Sequence, residues 1–91
     1  MTSSKQREAA ETLALEALTW LAGNETELSR FIETSGTDAG EIRARADDAG
    51  MLRAVLDFVL SEDESLLAFC DAHNVQPKDV HMARHVLDGA Q

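Results

Sequence analysis

Between Ala49 and Leu60 the chain reads AGMLRAVLDFVL, in which Arg53 and Asp57 are the only polar side chains. On a helix their spacing stacks both on one edge, leaving Met51, Leu52, Ala54, Val55, Leu56, Phe58, Val59 and Leu60 around nearly all the remaining circumference. A helix that is apolar almost all round has to be buried, so this segment predicts the central element of a small domain. Its length of roughly 18 Å suits that place and is too short for a bilayer. Arg53 and Asp57 predict a surface ion pair along the polar edge.

The flanking sequence predicts further helices, each with its own start and stop signals. Residues 1–3 read as a disordered lead, and a first helix runs over 4–22, with Ala10, Leu13, Ala14, Ala17 and Leu21 at helical spacing and Leu18 and Trp20 widening the stripe. Gly23 ends it. Asn24 with Glu27, Asp38 with Glu41, and Ser61 with Glu64 have the spacing of capping boxes, and Asp48 is placed to cap the central helix. The second helix carries Leu28, Phe31 and Ile32 inward and stops at Gly36. The third is short, with Ile42 and Ala46 inside and Arg43 and Arg45 outside. A fifth helix turns Leu66, Leu67, Phe69 and Cys70 inward and ends at Asn74. Pro77 opens a sixth at a first-turn position where its missing N–H is harmless, with Val80, Ala83 and Leu87 on one face and Met82 and Val86 beside it. No stretch alternates like a strand.

A shift of 38 residues aligns the chain with itself: Leu13 falls on Met51, Leu18 on Leu56, Trp20 on Phe58, Leu28 on Leu66, Phe31 on Phe69 and Ile42 on Val80. Gly36 falls on Asn74, both tolerant of positive φ, and Asp38 and Glu41 fall on Gln76 and Asp79. The expectation is an all-α, compact bundle of five to six short helices in one domain over 4–89, built as two three-helix units, 11–48 and 49–88, around the buried helix 49–60. The competing account is that helices of similar length give similar patterns.

Composition narrows function more by exclusion than by assignment. A chain of 91 residues buries somewhat over ~60% of its unfolded surface, enough for one core without a metal or a disulfide. The lone Cys70 has no intramolecular partner, no segment reaches the length of a membrane span, and Glu8 and Glu11 follow Lys5 and Arg7 where a signal peptide would turn apolar. These features lead us to expect a cytoplasmic monomer with no membrane contact. Seventeen acidic against eight basic residues, a net charge of −9, argue against nucleic acid and favour a basic protein partner.

The runs AETLALEALTWLAG, LSRFIETSG and RARADDAGMLRAVLDFVLSEDESLLAFC, over about residues 9–88, resemble a family of small alphaproteobacterial proteins, domain of unknown function 3572. Its most specific parts, Trp20-Leu21-Ala22, Leu56-Asp57-Phe58 and Leu66 to Phe69, are core and helix-end positions, so the signature is one of fold. The resemblance implies a small cytoplasmic bacterial helical protein and carries over no catalytic residue.

Cys70, His73, His81 and His85 supply zinc-competent ligands, with the last two on one helix face. Each also has a structural explanation: Cys70 aligns with Ile32 as a small core residue, His73 and His85 sit at helix ends, and His81 aligns with the outward Arg43. Glu62, Asp63 and Glu64 are explained by the dipole of the helix they begin. Phosphate loop, serine elbow and basic reading helix are all missing, so we expect no enzyme and no cofactor. Two functional expectations follow. One is a small acidic, non-catalytic protein-interaction or regulatory module, and the other is a metal- or ligand-binding regulator using Cys70, His73, His81 and His85.

Three apolar residues occupy places that are polar in the sister unit: Leu15 falls on Arg53, Leu67 on Ser29 and Val75 on Thr37. Leu67 and Val75 are expected to fill the junction between units, with a partner site as the alternative. Leu15, beside Glu8, Glu11, Thr12 and Thr19, is expected to be exposed, and Leu15, Glu11 and Glu8 form the candidate partner-binding set.

Overall fold

The computed structural model describes residues 4–88; the lead expected at 1–3 and the expected end of the domain at 89 lie outside the described residues. The described residues form six α-helices and no strand: α1 (Ser4–Ala22), α2 (Glu25–Ser35), α3 (Ala39–Ala44), α4 (Ala49–Leu60), α5 (Asp63–His73) and α6 (Pro77–Leu87).

The ends follow from local chemistry. Side-chain oxygens of Asn24, Asp38 and Asp48 accept from the backbone N–H of Glu27 at 3.3 Å, Glu41 at 2.8 Å and Gly50 at 2.7 Å, occupying donors that a helix start leaves unpaired. The Gly50 N–H, and after it the Arg45 side chain, hold the Asp48 carboxyl below the usual carboxylate range. Gly36 and Asn74 both adopt the left-handed conformation, at φ 75° and 56°, and turn their N–H groups back to the carbonyls of Ile32 and Cys70. At α6 the Gln76 N–H donates to the Asp79 carboxylate at 3.2 Å, and Pro77 takes the first turn.

Several local expectations fail, each for a traceable reason. The Asp38–Glu41 box does not close, because the Glu41 carboxylate accepts from the Thr37 hydroxyl at 2.7 Å. Ser61 does not cap α5. Its N–H completes the last turn of α4 onto the Asp57 carbonyl, its hydroxyl donates to the Phe58 carbonyl at 2.7 Å, and Glu62 becomes the residue before α5. Glu27 sends its carboxylate to the buried Ser65 hydroxyl, which donates to it at 2.9 Å. Leu67 is 60% exposed rather than inward. The buried arc of α5 consists of Ser65, Leu66, Phe69 and Cys70, and Leu67 stands about 130° from its centre. Ser65 takes the inner place because Glu27 satisfies its hydroxyl there.

α4 lies at the centre as its composition requires, with Met51, Leu52, Val55, Leu56, Phe58 and Val59 buried and α1, α2, α5 and α6 packed around it. Small residues on α1 (Ala10, Ala14 and Ala17) and on α6 (Ala83) let those helices approach closely; α1 packs most extensively on α6 and α4. The polar edge of α4 is exposed, but Arg53 and Asp57 do not pair with each other. α6 lies against that edge, so Arg53 meets Asp88 at 3.4 Å and Asp57 pairs with Arg84, which also meets Asp88 at 3.3 Å. Four charges that could have served two separate helices instead tie α4 to α6.

Helix bounds and contacts repeat at the offset seen in the sequence. α2 and α5 both span eleven residues with bounds 38 apart, and α3 and α6 start 38 apart at Ala39 and Pro77. Trp20 meets Phe69 edge-on at 5.9 Å between ring centroids, and Phe31 meets Phe58 edge-on at 5.5 Å. Moving one partner of either pair forward by 38 and the other back by 38 turns it into the other pair, and the Glu27–Ser65 bond joins two residues that are themselves 38 apart. Such contacts are the ones expected if two like units face each other about an approximate twofold. The correspondence stops at the third helices: α6 is packed deep on α1 and α4, whereas the six-residue α3 touches its neighbours sparsely.

Candidate interaction surface

The four zinc-competent residues do not converge. Cys70 is buried in the core, His73 is half-buried with its ring 5.0 Å from that of Phe69, and His81 and His85 are exposed on α6. Among the described residues no group of three or more His, Cys, Asp or Glu is disposed to hold a metal ion. Burial, and then the negative charge of Asp79, push the Cys70 thiol up from its ordinary value, which disfavours the nucleophilic thiolate. Alkylation of Cys70 at pH 8 is therefore expected to run about tenfold or more slower in the folded protein than in the denatured chain, with no added protection from zinc. A rate equal to that of the denatured chain, slowed by zinc and restored by chelator, would return the four residues to consideration as ligands.

Leu15 stands on the outer face of α1 and is 41% exposed, the exposure its alignment with Arg53 leads one to expect. Glu8 is exposed, and the Glu11 carboxylate lies 3.4 Å from the Arg7 guanidinium one turn earlier, so part of the acid beside Leu15 is already neutralised. Among the acids opening α5, Glu62 pairs with Arg30 of α2.

A larger apolar feature lies about half a turn round α1 from Leu15. The side chains of Ala9, Ala10 and Leu13 on α1 face Met82, Ala83 and Val86 on α6 across an open groove of about 360 Å³. At Asn74 and Val75 this groove meets a second hollow of about 450 Å³, lined also by Leu67, Cys70 and Asp71. Met82 is 62% exposed, Asp79 and Asp71 stand on the rim, and no lysine or arginine lines either part. Sequence reasoning missed this surface as a whole. The signal was present in Leu67 and Val75, both apolar where the sister unit is polar; Val75 does pack half-buried against the core, but Leu67 points outward. Met82, aligned with another apolar residue, Ala44, gave no such sign.

No helix among the described residues is long and apolar enough to cross a membrane. The fold is thus a compact all-α bundle whose described surface offers apolar hollows and carboxylates. The chain belongs to the family described as "Protein of unknown function (DUF3572)", which it matches over residues 7–90. No curated protein and no solved structure gives a match.

Proposed function

We propose that the protein is a small acidic, non-catalytic interaction module of the cytoplasm that docks a basic, partly apolar partner. One observation carries this reading: each large apolar residue exposed among the described residues has a carboxylate one helical turn away. Leu15 has Glu11, Leu67 has Asp63 and Asp71, and Met82 has Asp79. Apolar contact ringed by charge is the anatomy of a docking site, and a net charge of −9 sets the sign of the partner. The test is capture of partners from cell extract at about 50 and 500 mM salt, where the Debye length falls from about 14 to 4 Å. A basic protein retained at low salt and released at high salt supports the reading; retention of no protein, or of acidic proteins indifferent to salt, overturns it.

The outer face of α1, with Leu15, Glu11 and Glu8, is one place such a partner could touch. Leu15→Ser is expected to change the melting temperature by no more than about 4 °C, because a surface substitution of this kind stays within about 0.5 kcal/mol. If the partner uses that face, the variant also weakens capture. A variant that unfolds would mean that Leu15 serves the core.

A further inference from the structure

We propose that the groove between α1 and α6, continued over the end of α5, is a docking site for one short basic amphipathic helix of another protein. This rests on the interaction-module reading and assigns it a place and a ligand class.

The shape of the groove sets the form of the occupant. Two helices packed side by side leave a furrow, and a third helix fills it by seating its apolar ridge between them. The furrow is lined over about two turns on each side, from Gln6 to Leu13 of α1 and from Asp79 to Val86 of α6. That length suits an occupant of two to three turns. Its floor is small and flat at Ala9, Ala10 and Ala83, so bulky side chains can enter from outside. Met82, midway along the α6 wall, and Leu67, in the second hollow, are both exposed, and a methionine at such a place adapts its unbranched side chain to what it meets.

The charge of the groove sets the sign of the occupant. Asp79 and Asp71 line it, and neither part is lined by a basic side chain. A second copy of this chain is a poor occupant, since it would bring another net charge of −9 to a rim that is already acidic. A helix with leucines on one face and lysines on the other satisfies both walls and rim.

The test uses a synthetic peptide of about 11 residues, roughly 16 Å of helix, with leucine and lysine at amphipathic spacing, added to the isotope-labelled full chain at low salt. NMR shift changes are expected to centre on Leu13, Val75, Met82 and Ala83. Leu67→Ser combined with Met82→Ser should leave the melting temperature nearly unchanged, since both residues are exposed, and weaken the peptide about tenfold. Asp71→Asn with Asp79→Asn should weaken it further at low salt than at high salt. Shifts centred on Leu15, Glu8 and Glu11, or an undiminished affinity in the Leu67/Met82 variant, would overturn the groove while leaving the interaction module standing. So would absence of peptide binding, or a self-associated chain whose contact covers the groove. Failure of the module itself is read separately, from cell-extract capture that retains no basic protein.

Discussion

Replacing Leu56 with aspartate is expected to abolish the folded state. Leu56 is fully buried on the helix that touches α1, α2, α5 and α6, and it has no surface to which a carboxylate could escape. An unpaired charge placed there would have to stay protonated or open the core, at a cost of several kcal/mol. A domain of this size holds only about 5–15 kcal/mol in total, so the substitution consumes most or all of it. The measurement is thermal unfolding followed by circular dichroism, with Asp57→Ala on the same helix as the reference. Asp57 is exposed, and its replacement loses only its pairing with Arg84, so that variant should melt cooperatively near the parent. A Leu56→Asp protein that melts with the parent would remove α4 from the centre of the fold.

What could be read ahead of the structure divides along a physical line. Helix existence and bounds were legible because periodicity, caps and stops act within a few residues: Gly36, Asn74, Asp38, Asp48 and Pro77 each determine their own turn. The centrality of α4 was legible because an almost wholly apolar circumference leaves no other place for it. Less legible was anything decided between elements. Arg53 and Asp57 have the spacing of an ion pair, yet the approach of α6 gives each a better partner in Asp88 and Arg84. Nothing in the sequence marks Ser65 for burial, which depends on Glu27 arriving from α2 to satisfy its hydroxyl. The groove was harder still, because it is formed by what α1 and α6 leave unfilled together, and neither Ala9 nor Met82 announces that alone.

Phe69→Ala and Phe31→Ala are expected to cost about the same, roughly 3–5 kcal/mol each, although they lie in different helices with different neighbours in sequence. Both rings are buried, and each meets an aromatic of the opposite unit edge-on: Phe69 meets Trp20, and Phe31 meets Phe58. If the two units face each other as these contacts indicate, the two truncations remove corresponding parts from corresponding places. The optical consequences should differ all the same. Trp20 is the only tryptophan of the chain, so Phe69→Ala strips away its ring neighbour and should shift the native emission, whereas Phe31→Ala should leave that emission in place while lowering stability equally. Denaturant unfolding with fluorescence and circular dichroism read together separates these outcomes. A loss below about 1 kcal/mol at one position beside a full loss at the other would show that one half carries the core alone, and that the agreement at 38 residues is one of helix bounds without equivalent packing.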